Sequence, residues 1–174
     1  MLLRIMSLMA GLLLAAPAAA EGRGPAMWGE GGLWEIYAPP GRSGCFATRL
    51  FLSGTVMRIG VRADGGLDLL MARSSWRFAE AGKTYRLKFV FGNGRTYEEE
   101  LEAVAMGSTI ALVNARMSAA FAVDFMEKTS LLVYHRGSLV APLVLLDTYD
   151  AVTQLRTCNA SAPGAQDSSD PSLQ

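Results

Sequence analysis

Alternating apolar and polar residues along most of the chain predict a protein dominated by β-strands. The clearest case is Met57, Ile59 and Val61, which alternate with arginine and glycine. This period of two is expected for a strand with one buried face. The stretch over 85–91 alternates in the same way. The same criteria predict further strands at 33–37, 45–52, 67–72, 96–103, 109–113, 131–135 and 139–146.

Turn signals separate these segments and favour hairpins. Asp64-Gly65-Gly66 and Gly92-Asn93-Gly94 each stand between two predicted strands. Glycine adopts positive φ without steric cost, so both runs suit tight hairpin turns. Pro142 has no N–H to donate to a strand ladder, and we expect it at a sheet edge or at a bulge.

Two short segments have helical spacing. Ser118 is placed to cap a helix over 119–128, in which two phenylalanines four residues apart share a face. Thr148 is expected to cap a second helix over 149–157. Two separate helices among many hairpins predict an α+β domain over 33–158, mainly antiparallel β in a hairpin-rich sheet or sandwich.

The first twenty residues have the layout of a secretory signal peptide. Met1 and Arg4 provide a positive start, an apolar run over 5–15 follows, and Ala18-Ala19-Ala20 suits cleavage. The run is interrupted and shorter than the roughly 20 residues that span a bilayer. We therefore expect a periplasmic or secreted protein whose mature chain begins at residue 21 and has no transmembrane segment.

The two ends of the mature chain differ in composition from its middle. Residues 21–32 are rich in glycine and are expected to form a flexible lead-in, in which Trp28 is exposed and available for binding. Residues 159–174 contain many turn formers and few large apolar groups, which predicts a disordered tail.

Charge and composition exclude several functions. The 174 residues carry 16 basic and 16 acidic side chains, and loss of Arg4 with the leader changes the net charge to −1. A nucleic-acid partner is not expected, because neutralising phosphates requires an excess of lysine and arginine. One histidine and two cysteines are too few for an ordinary zinc site, and we expect neither a metal nor another cofactor.

Both cysteines, Cys45 and Cys158, lie in the mature chain. Two cysteines in an exported protein usually pair. A redox-active pair usually has a close Cys-x-x-Cys spacing, which is absent here. We therefore predict a structural disulfide that joins the front of the domain to its last helix.

Candidate catalytic chemistry centres on His135, the only histidine. A hydrolase would use it as general base, with Ser138 or Ser130 as nucleophile and Asp147 as the acid. The chain contains no Gly-x-Ser-x-Gly nucleophile elbow. A solvent-facing histidine at a strand end is the simpler interpretation, and hydrolysis is the alternative.

Charged residues occupy the outward positions of several predicted strands. Two strands carry two cations each: Arg58 and Arg62, and Arg86 and Lys88. If those strands are neighbours, the cations form a basic strip for an acidic partner or an anionic envelope polymer. A solvated strand face explains the same pattern. The acidic run over 98–102 is likewise interpreted as a solvated face that offsets the cations of its hairpin partner.

The order of these features resembles a known family. The features in chain order are Trp34, Cys45, the hairpins, Phe121-x-x-x-Phe125, Leu131-Leu132-Val133, Gly137, Pro142-Leu143-Val144-Leu145 and Asp150-Ala151-x-x-x-Leu155. Together they are similar to the small exported alphaproteobacterial proteins of the invasion-associated locus B type. The resemblance covers most of 33–158 and implies a periplasmic, β-rich accessory protein without catalytic residues to carry over.

We therefore expect a non-enzymatic exported protein that binds another envelope component, with a protein as the first choice, in an accessory or inhibitor-like role. An inhibitor would insert a loop into an enzyme cleft, and 38–44 or 73–83 are available for that. The alternative is a periplasmic hydrolase that uses His135. A deep pocket walled by His135 would favour catalysis, whereas an exposed apolar patch near Trp28 would favour partner binding.

Overall fold

The computed structural model describes residues 24–40 and 44–161. The predicted signal peptide and most of the predicted tail lie outside these ranges. Within them the chain forms ten strands and two helices: β1 (Ala26–Gly31), β2 (Trp34–Ala38), β3 (Phe46–Leu50), β4 (Val56–Val61), β5 (Leu67–Ala72), β6 (Thr84–Phe91), β7 (Thr96–Met106), β8 (Thr109–Met117), α1 (Ala119–Glu127), β9 (Ser130–His135), β10 (Ser138–Val144) and α2 (Thr148–Ser161).

The ten strands join one antiparallel sheet in the order β1-β2-β3-β4-β5-β8-β7-β6-β9-β10. Strands β1 to β5 form a meander, and β6 to β8 form a second meander that returns to pair with β5. Helix α1 then leads to β9, which pairs with β6, and β10 completes the edge. The predicted fold, mainly antiparallel β with two helices, is confirmed.

Apolar residues from one face of the sheet pack with the two helices to form the core. Helix α2 contacts β1 to β4 and α1, and its buried stripe includes Ala151, Val152 and Leu155. Removal of this apolar surface from water is the main stabilising contribution. The largest fully buried side chains are Trp34, Phe89, Phe91, Phe121 and Phe125.

The turns and the edge proline are placed as predicted. Gly65 and Gly94 have φ of 80° and 83° and lie in the turns that follow β4 and β6. Pro142 lies on β10, the edge strand, beside a bulge between Leu139 and Ala141. An edge position leaves the missing N–H of proline without consequence for the ladder.

The helix starts agree with the sequence in one case only. Ser118 caps α1, and its Oγ accepts a hydrogen bond from the Phe121 N–H at 3.1 Å. The prediction that Thr148 caps α2 is wrong, because Thr148 already lies within the helix. The carbonyl of Asp147 accepts from the Ala151 N–H at 2.9 Å, so Asp147 holds the position before the first turn.

The prediction of a flexible lead-in is wrong for residues 26–31, which form β1 and pair with β2. A side chain at Gly31 would place its Cβ 2.7 Å from the Cα of Ala151 on α2. Glycine at this position therefore permits close packing of strand on helix rather than flexibility. At the other end, α2 continues to Ser161, past the domain end predicted at residue 158.

The predicted disulfide is confirmed. Cys45 and Cys158 are bonded across 113 residues, with their Cα atoms 6.1 Å apart. Asn159 reinforces the connection: its Oδ1 accepts from the Cys45 N–H at 2.6 Å and its Nδ2 donates to the Val61 carbonyl at 3.4 Å. The end of α2 is thus fixed to the start of β3 and to the end of β4.

Candidate functional site

His135 lies at the end of β9, on the wall of an open groove rather than in a deep pocket. Its ring stacks on Phe78 with the ring centroids 4.6 Å apart, and it meets the Tyr85 ring edge-on at 5.5 Å. Partial burial, and then the neighbouring Arg136 cation, lower the pKa of His135. The imidazole is therefore mostly neutral at pH 7.

The residues of the hydrolase alternative do not come together. Ser130, one of the two nucleophile candidates, begins β9, whereas His135 ends it. Ser138 lies opposite His135 in the β9–β10 hairpin, whereas Asp147 follows the far end of β10. The seven residues of β10 span about 20 Å at roughly 3.3 Å per residue. Asp147 instead accepts a hydrogen bond from the Leu33 N–H at 3.0 Å. The geometry supplies no Ser-His-Asp relay at His135.

The predicted basic strip is not formed either. Three strands, β5, β8 and β7, lie between β4 and β6, so the cations of these two strands are far apart on the sheet. On β4, the Arg58 guanidinium lies 3.5 Å from the centroid of the Phe46 ring. Arg62 pairs with Asp64 at 2.6 Å. The expectation of one strip was wrong because strand order does not follow chain order here.

On β6, the outward cations face the acidic run of β7, as the hairpin predicted. Arg86 stands opposite Glu100, with an ion pair at 3.1 Å, and Lys88 stands opposite Glu98. Opposite charges at paired positions stabilise a hairpin modestly. Glu99 points to the other face, where burial raises the pKa of its carboxyl.

Two adjoining cavities at the β9–β10 hairpin gather more cations than the sequence suggested. The cavity on the outer sheet face has a volume of about 540 Å³ and includes Tyr134 in its wall. The cavity beside it, of about 550 Å³, includes His135, Phe78 and Tyr85. We term the two together the cationic groove. Its charged lining residues are Arg77, Lys83, Arg86, Lys88 and Arg136, with Glu80 and Glu98 as the acidic members.

A second surface feature lies at the opposite end of β10 and is apolar. It surrounds a groove of about 420 Å³ between the edge strand and the turn that follows β3. Five large side chains on this groove are each at least 45% exposed, and Leu52 is fully exposed. We term them the apolar patch: Leu33, Leu50, Leu52, Val144 and Leu146.

The polar groups beneath the apolar patch already have partners within the protein. The Leu146 carbonyl accepts from Trp34 Nε1 at 3.1 Å and from an Arg49 Nη at 2.8 Å. The Arg49 guanidinium also lies 4.8 Å from the centroid of the Phe51 ring, and partial burial lowers its pKa. Hydrogen bonds therefore hold the backbone beneath the apolar patch in place, and the cation there, Arg49, already has partners within the protein.

Two local features of the sequence point to these surfaces. Leu50-Phe51-Leu52 breaks the period of two, since three consecutive apolar residues on one strand end cannot all face the core. Arg136 occupies a tight turn where asparagine or glycine is usual. Trp28 is exposed as predicted, at 39%, but does not line the groove of the apolar patch.

Over residues 24–40 and 44–161, no helix has the length and apolar character needed to cross a membrane. The same part of the chain brings together no group of three or more histidine, cysteine, aspartate and glutamate side chains that would hold a metal ion.

Comparisons with known proteins do not identify a family. No family model matches the chain, and no curated protein or solved structure matches it significantly. The resemblance to proteins of the invasion-associated locus B type stays a prediction.

Proposed function

We propose that this protein is an exported, non-catalytic binding protein that docks another envelope protein on its apolar patch. The observation that carries the proposal is the exposure of five large apolar side chains around one groove. Isolated exposed leucines are ordinary, but a contiguous group is typical of a surface that a partner covers. Covering the patch removes apolar area from water and so favours association.

The disulfide supports export. Disulfides persist in oxidising compartments and are rare in the reducing cytosol. The Cys45–Cys158 bond and the leader-like first twenty residues agree on this point. An envelope location limits the partners to proteins of the same compartment.

The chemistry of the patch selects an apolar, uncharged partner segment. Arg49 is the charged residue that lines the groove, and its guanidinium already contacts the Leu146 carbonyl and the Phe51 ring. A charged partner segment would lose its hydration there without gaining an ion pair. An apolar segment, by contrast, meets Leu50 and Leu52 without any such penalty.

Site-specific photo-crosslinking tests this proposal. A photoreactive amino acid at position 50 or 52 of the full chain, expressed in the source cells, should capture the same apolar peptide of one envelope protein. The same probe at Met106, a 48% exposed apolar residue off the patch, is the control and should not capture it. Capture of a charged segment, or of this chain itself, would contradict the proposal.

The affinity of the captured segment then measures the contribution of the patch. A synthetic peptide of that segment should bind Leu52→Asp more weakly than the unchanged protein by a factor of about ten or more, because burying one leucine contributes about 1.5–3 kcal/mol. Met106→Asp should bind normally. Equal affinity of all three proteins would exclude the apolar patch as the docking surface.

A further inference from the structure

The turn at the tip of the β9–β10 hairpin contains a residue that its backbone does not favour. Arg136 has φ of 51° and Gly137 has φ of 80°, between the paired residues His135 and Ser138. Two-residue hairpin turns with positive φ at both positions strongly prefer asparagine, aspartate or glycine. Arginine in this left-handed region is strained, because its Cβ approaches the backbone.

Among the described residues, no hydrogen-bond or ion-pair partner offsets this strain. Over the residues that the structure describes, the Arg136 guanidinium makes no hydrogen bond and no ion pair, and the residue is exposed. It lines both cavities of the cationic groove. Strained residues of this kind cluster at functional sites, where the side chain serves a purpose other than stability.

Several cations of the cationic groove form no ion pair within the protein. Lys83 pairs with Glu80 at 2.6 Å, and Arg86 pairs with Glu100. Arg77 and Arg136 form no ion pair with any described residue, and Lys88 forms none although Glu98 stands opposite it. Since basic and acidic residues balance over the whole chain, this end of the sheet is a local concentration of positive charge that attracts anions.

Aromatic rings lie beside these cations. Tyr134 pairs in register with Lys88 and lines the outer cavity, and Tyr85 lines the neighbouring one. An aromatic ring offers a flat apolar face, on which the apolar face of a sugar ring packs, while its polar groups remain available. Cations next to such faces suit sugars that carry acidic groups.

The extent of the groove favours a polymer over a small anion. Its two cavities share Arg86 and Arg136, and the remaining cations are spread across both. A single small anion reaches one or two of these cations, whereas an extended chain with regularly spaced charges reaches all of them. Arginine forks match carboxylate groups through paired hydrogen bonds.

We propose that the cationic groove binds an acidic polysaccharide. Arg136, Arg77 and Lys88 contact carboxylates along the polymer, and Tyr134 packs against a sugar ring between them. This site is separate from the apolar patch and does not depend on the docking of a partner protein there.

Binding of an oligogalacturonate, a carboxylated sugar oligomer, tests the proposal by calorimetry, with a neutral dextran oligomer of equal length as the control ligand. We expect the oligogalacturonate to bind, more weakly as salt is raised, and the dextran not to bind. Failure of the oligogalacturonate to bind at low salt would overturn the proposal. Tighter binding of inorganic polyphosphate with the same dependence on variants would overturn the choice of a polysaccharide.

A variant at the strained position separates an effect on binding from an effect on stability. Arg136→Gly removes the cation while supplying the residue that the turn favours, so the protein should keep or raise its melting temperature and yet bind the oligogalacturonate about tenfold more weakly. Lys88→Gln should weaken binding as well. Arg156→Gln, at an exposed arginine of α2, is the matched control and should bind normally.

The variants also separate this proposal from the docking of a protein. Leu52→Asp should bind the oligogalacturonate like the unchanged protein, and Arg136→Gly should bind the peptide captured at the apolar patch normally. Unchanged oligogalacturonate binding by Arg136→Gly and Lys88→Gln would show that the cationic groove is not the site.

Discussion

The apolar patch and the cationic groove lie at the two ends of β10, and they differ in which parts of the chain form them. The apolar patch combines three distant chain segments, and the hydrogen bonds that hold its frame join residues 97 to 114 positions apart. The cationic groove centres on a single hairpin turn, at Arg136, and on the strand that pairs with that hairpin. One surface therefore depends on contacts across about a hundred residues, and the other depends on a hairpin and on its pairing with β6, which joins residues fewer than 50 positions apart.

The largest expected effect on stability comes from removing the disulfide, which supports the part of the fold that carries the apolar patch. Cys45 and Cys158 hold α2 against the strands that carry the patch. The double variant Cys45→Ser, Cys158→Ser should lose about 4–5 kcal/mol of unfolding free energy, the upper figure for so long a loop. Urea denaturation of the oxidised protein and the variant measures the loss.

Hydrogen exchange on the same variant locates the effect. Amides of β1 to β4 and α2 should lose more protection than amides of the β9–β10 hairpin, because the hairpin is held by its own ladder. Reductant should destabilise the unchanged protein and leave the variant unaffected. An equal loss of protection in both regions would contradict the claim that the disulfide stabilises the region of the apolar patch more than the β9–β10 hairpin.

An intermediate effect is expected for Arg49, which links two of the three segments of the patch. Arg49→Ala removes a hydrogen bond to the Leu146 carbonyl and the contact with the Phe51 ring, and should lower the unfolding free energy by about 1–2 kcal/mol. Trp34 Nε1 still donates a hydrogen bond to the Leu146 carbonyl, which limits the loss of stability. Arg156→Ala, the surface control, should change stability by less than about 0.5 kcal/mol.

The Arg49→Ala variant also tests whether the two surfaces act independently in binding. Arg49→Ala should weaken docking at the apolar patch and leave oligogalacturonate binding at the other end unchanged. Equal weakening of both would mean that the two ends are coupled through the sheet.

The smallest expected effect is the loss of stability in acid that arises from His135 in the cationic groove. The pKa of His135 is lowered by partial burial and by Arg136, so the folded protein binds a proton less readily than the unfolded chain. The stabilisation is complete above the ordinary pKa of about 6.5, and it is lost as the pH falls toward the lowered value. The other ionisable groups lining the same cavity are Arg77, Glu80, Lys83, Tyr85, Arg86 and Arg136.

Nuclear magnetic resonance measures this titration directly, since His135 is the only histidine. Arg136→Gly should raise the pKa of His135 toward its ordinary value, because a neighbouring positive charge is removed. His135→Phe keeps an aromatic ring against Phe78 and should abolish this part of the acid dependence of stability. A pKa that does not move in Arg136→Gly would show that burial alone sets it.

Much of the fold was predictable because it depends on short-range rules. The period of two located the interior strands, and glycine turns such as 64–66 marked hairpins, since both reflect the geometry of adjacent residues. β1 was missed because its glycines indicated flexibility. Gly31 is instead required by contact with Ala151, a residue 120 positions away that local patterns do not reveal.

The candidate sites were less predictable, for a related reason. The alternating pattern correctly predicts Arg86 and Lys88 as outward cations of β6, but the prediction that the cations of β4 lie beside them is wrong. The return of β8 to pair with β5 places three strands between β4 and β6. Arg77 and Arg136 join the groove instead, through a loop and a turn that carry no periodic pattern.

Sequence alone was enough to predict most of the strands, the hairpin turns, the cap at Ser118 and the pairing of the two cysteines, because each follows from neighbouring residues or from simple counting. Which strands are neighbours, and which side chains remain exposed, depends on the tertiary structure. Leu50 and Leu52 belong to an apolar run that the pattern assigns to a strand, and in the folded protein they are exposed beside residues of β10. Exposure depends on what packs across the fold, and that is a property of distant residues.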